Sequence, residues 1–361
     1  MASSKEDGAA AAAEQLGSMS LGESAGRRDD AAPTTKNGTN PTKMCSACDK
    51  KSKTLKKCNG CKCVWYCDKK CQNKHRKEHR KDCKAIMKEL DKRGGKLDIG
   101  TEKDIGPVEK LLPREECPIC MRVLPLHSAL HSYFPCCGKN ICCGCSMHHK
   151  KKNAERAAER GQTQVRSTCA FCRTAASRSD KEILIQMRKR IELKDPVAMF
   201  NIGMKYSYGG LGLPMDQAKC IDLLREAADL GGLDAQYQLG SFHRTGGMGL
   251  EQNEVEALKY FRQAAEGGHL ASRNNLGSGE KENNGEHVAA MRHWRLAASG
   301  GSMLSIANLL SSFRDGFLHH DDLAETLQAF YRSRAEMRSE DRDRYIEHLK
   351  MIGEYHDYFD L

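Results

Sequence analysis

Eight residues of metal-ligating type fall in four close pairs between Cys45 and Cys83. No other stretch limits the fold as tightly. The pairs are Cys45-x2-Cys48, Cys58-x2-Cys61, Cys67-x3-Cys71 and His79-x3-Cys83. They supply enough ligands for two tetrahedral zinc sites. Thiolate and imidazole suit zinc, whose filled d shell imposes no competing geometry. The short gaps let one knuckle or helical turn aim both members of a pair at one ion. Apolar residues are too few here for a core, with Leu55, Val64, Trp65, Tyr66, Ile86, Met87 and Leu90 nearly all there is. Metal binding is therefore expected to supply most of the folding free energy of this stretch.

The run Cys58-Asn-Gly-Cys61-Lys-Cys63-Val-Trp-Tyr66-Cys67-Asp-Lys-Lys-Cys71-Gln72, closing on His79-Arg-Lys-Asp-Cys83, resembles a MYND-type zinc finger. All eight ligand positions of that family are matched. The resemblance implies an interleaved arrangement, with Cys45, Cys48, Cys67 and Cys71 on one zinc and Cys58, Cys61, His79 and Cys83 on the other. Cys63 falls outside that set. The family is implied to bind short proline-containing peptides. Its groove uses a Gln directly after the ligand at the place of Cys71, matched here by Gln72. It also uses a Trp four residues on, where this chain has Arg76.

The chain has 18 cysteines among 361 residues. The N-terminus reads without a signal peptide, since the apolar Ala9–Ala13 run is short and flanked by acids. In a reducing compartment the cysteines are then metal ligands rather than disulfides. The expected location is intracellular, cytoplasmic or nuclear. No apolar run approaches the ~20 residues of a membrane helix, so no membrane partner is expected. The net charge of +10 is concentrated: residues 43–93 carry 18 basic and 6 acidic side chains, whereas 94–361 carry 36 of each. Such a patch attracts phosphate backbones or acidic protein surfaces. Proteins and peptides rank ahead of nucleic acid as expected partners.

Residues 1–42 hold almost no aliphatic or aromatic side chains and are expected to be disordered. The finger and a short helix after Cys83 occupy 43–93, and a Gly- and Pro-bearing linker spans 94–116. A second cysteine cluster fills 117–173. It reads Cys117-Pro-Ile-Cys120, then Cys136-Cys137-Gly-Lys-Asn-Ile-Cys142-Cys143-Gly-Cys145, then Cys169-Ala-Phe-Cys172-Arg173. Three Cys-x2-Cys pairs and the Cys136-Cys137 doublet again provide for two zinc ions.

This cluster resembles a RING finger. The resemblance implies that Cys117, Cys120, Cys142 and Cys145 share one zinc. The other zinc would take Cys169, Cys172 and ligands near Cys137. Lys139 stands where the family has a His ligand, and Cys136 is the expected replacement, ahead of His131, His148 and His149. Cys143 reads as a spare thiol. In the family, an aliphatic residue at the place of Ile119 touches a ubiquitin-conjugating enzyme. A basic residue at the place of Arg173 bridges that enzyme and its ubiquitin. Ala170 replaces the family's usual proline.

From residue 181 the pattern is helical, and an internal repeat appears. Ala198-Met-Phe-Asn-Ile-Gly203 recurs 37 residues on as Ala235-Gln-Tyr-Gln-Leu-Gly240, and again as Ser272-Arg-Asn-Asn-Leu-Gly277. Each unit reads as a helix pair whose second helix ends in Gly-Gly, and a degraded fourth unit covers about 302–338. One pair cannot bury its apolar face alone, so the units stack. They resemble Sel1-like repeats, relatives of the tetratricopeptide repeat. Trp294, His243 and Tyr206 read as core, and Cys220 as a buried small residue.

The expected fold is mostly α. Two small zinc-stabilised modules lead into an α-solenoid of helix-turn-helix repeats over 181–340, with a capping helix over 341–361. No phosphate-binding loop, nucleophile elbow or His-Glu-x-x-His is present, and neither cysteine cluster leaves the open position a catalytic zinc needs. The resemblance to RING fingers implies a ubiquitin-protein ligase without a nucleophile of its own, recruiting substrates through the finger and the repeats. The alternative is a non-enzymatic adaptor, with a transcriptional or nucleic-acid-associated role through the basic finger.

Overall fold

The structure is a computed structural model. It describes residues 44–354 apart from 49, 51, 53, 93–111, 127–129, 163–166, 178 and 285. The side chains of 282–284 also lie outside the description. The N-terminal tail, most of the expected linker and residues 355–361 are therefore outside the described residues.

The first cysteine module is a short antiparallel hairpin and one long helix. β1 (Lys56–Lys57) pairs with β2 (Trp65–Tyr66), Lys56 opposite Tyr66. The helix, α1, runs Lys69–Lys92. It starts well before Cys83, so the short helix expected after that residue is only its last part. No Gly or Pro interrupts 69–92, and Cys71, His79 and Cys83 are all carried on it. Asp68 opens the helix, its carboxylate accepting from the Cys71 amide at 2.9 Å.

In the second module, β3 (His131–Phe134) and β4 (Lys139–Cys142) form a hairpin, with His131 opposite Cys142. Gly138 closes its turn in the left-handed region at φ 66°. Helix α2 (Cys143–Glu159) follows directly.

The remaining elements are helices. They are α3 (Asp180–Glu192), α4 (Pro196–Tyr208), α5 (Gln217–Asp229), α6 (Leu233–Thr245), α7 (Glu254–Glu266), α8 (Leu270–Asn284), α9 (His287–Ser299), α10 (Met303–Arg314), α11 (His320–Glu336) and α12 (Glu340–Met351). Helices α4 to α11 pack in pairs, each pair on the next. Side-chain caps start many of them: Asp195 accepts from the amides of Val197 and Ala198, and Asp216 and Asn253 cap α5 and α7. The second helix of each of the first three pairs stops where a glycine takes positive φ: Gly231 at 81°, Gly268 at 96° and Gly301 at 100°.

A second set of glycines, spaced 37 residues apart, decides how closely the helices of a pair approach. A Cβ on Gly203 would stand 3.3 Å from the nearest atom, the Cys220 carbonyl oxygen. On Gly277 it would stand 2.6 Å from Trp294 Nε1 and 2.9 Å from the Ala290 carbonyl oxygen. Trp294 is 2 % exposed and its indole N–H donates to Asn274 O at 3.2 Å, so it cannot swing aside without losing that bond. Gly277→Ala is expected to destabilise the helical unfolding transition by about 1–3 kcal/mol through overpacking. Gly203→Ala should be near neutral, because alanine regains up to about 1 kcal/mol of helix propensity. Urea unfolding followed by helical signal checks the pair.

Trp294 and Cys220 are buried, and Tyr206 and His243 are half-buried in the stack. Leu193 is 70 % exposed as the C-cap of α3. The terminal helix, expected as a cap on the stack, packs instead on α2 of the second module, where the backbone of Asp341 and Arg342 meets Gly144.

The first module is not restricted to its own few apolar residues. Val64, Tyr66, Ile86 and Leu90 belong to one buried cluster with Phe313, Leu323, Phe330 and Tyr331 of the last helix pair. The finger therefore draws on apolar packing from outside its own sequence as well as on metal. No described helix is long and apolar enough to cross a membrane.

Candidate metal centres

Three Cys-x2-Cys pairs fold into the same knuckle. The amide of the residue after the second cysteine donates to the carbonyl of the first: Lys62 to Cys58 at 3.2 Å, Met121 to Cys117 at 2.9 Å and Arg173 to Cys169 at 3.1 Å. Lys62, Met121 and Arg173 all take positive φ, at 61°, 53° and 63°. That conformation is costly for side chains with a Cβ. Its recurrence at three equivalent positions marks a backbone held by something stronger than local preference. In the knuckles of the second module a single β-bridge closes the loop, Glu116 to Val123 and Thr168 to Ala175.

These turns and helices gather sixteen side chains into four groups, each with all its ligand atoms within 4.8 Å of one another. The groups are Cys45, Cys48, Cys67, Cys71; Cys58, Cys61, His79, Cys83; Cys117, Cys120, Cys142, Cys145; and Cys136, Cys137, Cys169, Cys172. Sulfur–sulfur distances include 3.6 Å for Cys48–Cys67, 3.7 Å for Cys58–Cys83, 4.0 Å for Cys120–Cys142 and 3.5 Å for Cys172–Cys136. Disulfide sulfurs lie at about 2.05 Å, so these are not disulfides. A tetrahedron with zinc–sulfur bonds of about 2.3 Å has edges of about 3.8 Å, and the groups have that size.

The acid–base chemistry of the groups calls for a cation. Each contains one thiol held below the ordinary range. Cys58 is brought down by hydrogen bonds from Cys61 and Cys83, and Cys117 by those from Cys142 and Cys145. At Cys45 burial works upward, but the Ala47 and Cys67 amides outweigh it and bring the thiol to about 7. Burial likewise opposes the shift at Cys172, where Thr174 prevails and the value falls to about 6. The neighbours go the other way: burial and adjacent thiols push Cys67 up to about 11 and Cys71 to about 12. Four such sulfurs cannot all ionise side by side without a positive charge among them. A divalent, sulfur-preferring ion fits that donor set and would be held by all four members of each group.

Residues remote in sequence fix these ligands. Tyr331 donates its hydroxyl proton to Asp82 Oδ2 at 2.5 Å and lies 3.3 Å from His79 Nδ1. With the phenolic proton on Asp82, His79 Nδ1–H is the donor to Tyr331, which leaves Nε2 toward Cys61 at 3.2 Å as the ligand atom. His320 Nε2 lies 2.9 Å from Cys61 O and 3.1 Å from Cys63 Sγ, so Cys63 stands behind the ligands rather than among them. In the second module Arg342, 4 % exposed, donates to Val123 O at 2.6 Å, to Arg122 O at 3.3 Å, to Met337 O and to Cys120 Sγ at 3.5 Å. Tyr331, Asp82, His320 and Arg342 carry no local signal in the sequence. Separations of 220 to 259 residues join three of them to the knuckles and to α1.

Lys139 is exposed at the start of β4, while Cys136 lies among the ligands. His131, His148 and His149 join no group, and Cys143 is buried beside Ser132 Oγ at 3.7 Å. Ile119 is 41 % exposed. It shares an open cavity of ≈ 230 Å³ with Arg173, Ala170 and the α2 side chains His148, His149 and Lys152. Gln72 is half-buried on α1 next to Cys71, and Arg76 is exposed one turn on.

Residues 45–83 match the MYND finger family, and residues 196–232, 233–269 and 270–302 each match the Sel1 repeat family. The first module is a MYND finger. The helix pairs over 196–302 are Sel1 repeats, which are protein-interaction repeats. The Cys117–Cys172 stretch is a further four-ligand cluster pair, consistent with zinc, that matches neither family. No protein of curated function matches the chain. Among solved structures it is similar to a Sel1 repeat protein from Oxalobacter formigenes, at 25% identity and TM-score 0.33, over 36% of this chain and 98% of that one. It is also similar to c5321, a protective antigen of uropathogenic Escherichia coli strains displaying an SLR fold, at 24% identity and TM-score 0.36. That match covers 47% of this chain and 36% of the antigen.

Proposed function

We propose that this chain is a zinc-stabilised ubiquitin ligase scaffold. In this reading the second cysteine module docks a ubiquitin-conjugating enzyme, while the MYND finger and the Sel1 repeats hold the substrate. One observation carries the reading. Ile119 on the first knuckle, Arg173 on the last, and helix α2 line a single open cavity. Met121 and Phe171 stand exposed on the same two knuckles, at 69 % and 43 %. An apolar anchor beside a fixed guanidinium suits a protein partner. The zinc ions are structural throughout: they hold the knuckles, and the transfer chemistry belongs to the docked enzyme. All sixteen grouped side chains serve as ligands, two ions per module.

The adaptor reading draws on the same cavity. Asp341 of α12 lines it, and His148 pairs with Asp341 at 2.9 Å. Arg173 Nη1 lies 2.7 Å from His149 Nδ1. The terminal helix thus narrows the face a conjugating enzyme would need, and the module would then serve only to hold the repeats and finger together.

Self-ubiquitylation by the full chain, against a panel of conjugating enzymes, separates the two. The ligase reading expects chains from wild type and at least a tenfold loss in Ile119→Ala and Arg173→Ala, with zinc content unchanged. Cys142→Ser serves as the unfolded control. Silence of the zinc-loaded wild type across the panel assigns the chain to the adaptor class.

A further inference from the structure

One side of α1 is covered by the rest of the finger and by the last helix pair: His75, His79, Asp82, Ile86, Glu89 and Leu90 are buried there. The opposite side carries Lys70, Lys74, Lys77, Lys81, Lys84 and Lys88, all exposed. At about 100° and 1.5 Å per residue, these six lysines fall within about 80° of arc and run about 27 Å along the helix. None of the six makes an ion pair among the described residues. The exposed acids of α1 are Glu78 and Asp91. Glu78 is held by Arg338 off the row, and Asp91 lies past its last lysine.

Like charges three and four residues apart weaken a helix, so the row does not exist to stabilise α1. The helix is fixed instead by Cys71, His79, Cys83 and its buried face, which turns the lysines into a rigid, straight array. We propose that this row is a docking face for the phosphate backbone of a nucleic-acid duplex. A duplex carries one negative charge per about 1.7 Å of axis, so about sixteen phosphates lie along the length the row spans, and those on the near side outnumber or match its lysines. Lysines position on phosphates and carry no base code, so binding is independent of sequence. Protein interfaces are depleted in lysine and anchored by aromatic side chains, and the row has none. A membrane surface would require apolar residues flanking the cations. The apolar side chains Ile86 and Leu90 are buried, and Met87 points about 100° away from the row. The row lies on a different module from Ile119 and Arg173, so this proposal and the ligase reading stand or fall separately.

The test is fluorescence anisotropy of the full chain with two unrelated DNA duplexes of about 20 base pairs, between about 50 and 200 mM salt. Wild type is expected to bind both within about threefold, with a log–log salt slope of about −4 to −5. The variant Lys77→Glu/Lys81→Glu/Lys84→Glu should bind about 100-fold more weakly at low salt, with a slope shallower by about 3. Lys189→Glu, on α3, should change nothing. Zinc content and helical signal check folding, and the glutamine version of the triple variant gives the same comparison without charge reversal. No binding at low salt, or duplex binding untouched by the triple substitution, overturns the proposal. Tighter binding of a polyglutamate peptide or phosphatidylserine vesicles than of the duplex also overturns it.

Discussion

Stripping the metal with a strong chelator is expected to remove amide protection from the described parts of 44–92 and 112–177 while leaving α4–α8 protected. Structural zinc contributes about 10–16 kcal/mol to folding in small modules, comparable to the whole stability of an ordinary domain. The second module has few other resources. Its own core outside the ligands is Leu124, Ile141 and Ala170, with Phe134 half-buried against them, and its further apolar anchors are Leu130 against Leu349 of α12 and Tyr133 against the α3–α4 cluster. The finger shares its core with Phe313, Leu323, Phe330 and Tyr331, so its loss should also lower protection in α10 and α11. The earlier repeats bury their own seams, with Leu239 and Phe261 fully enclosed. Hydrogen exchange read by mass spectrometry, with and without chelator, follows all regions at once. Persistent protection over the described part of 112–177 after the metal is gone would mean that the second module does not need zinc to fold.

The second large effect is expected from Arg342→Met. This side chain is buried against three carbonyl oxygens and the Cys120 sulfur. Four thiolates around one divalent cation carry a net charge of −2, and Arg342 is the guanidinium packed against that group. Methionine keeps the apolar stem and removes the charge. Removing one partner of a buried charge pair costs about 3–5 kcal/mol. The variant should release one zinc to a competing chelator well before the finger releases its two, and α12 should lose protection. Arg344, two residues on, is about half exposed and pairs with Asp341 and Glu340. Arg344→Met should therefore cost less than about 1 kcal/mol. Equal behaviour of the two variants would deny Arg342 its part in the site.

The ligand groups were legible in the sequence because zinc knuckles are local. Cys58-x2-Cys61 or Cys169-x2-Cys172 fixes its own turn, whatever surrounds it. The repeat was legible for a similar reason, since Gly203, Gly240 and Gly277 recur at a fixed interval with the same neighbours. The extent of α1 was obscured because its surface is nearly all lysine and arginine, which hides a helical period with few apolar residues to mark it. Arg342, Tyr331 and His320 could not be read at all. Their roles arise only when the last helices fold back onto the zinc modules, and nothing within a few residues of them encodes that return.

Counting metal in the intact chain decides whether both cysteine modules are zinc domains. Native mass spectrometry of the protein prepared in zinc should give four ions per chain, two for each module. A count of two, with the finger's ligands alone occupied, would contradict a zinc-bound second module and leave Cys117 to Cys172 without the role assigned to them.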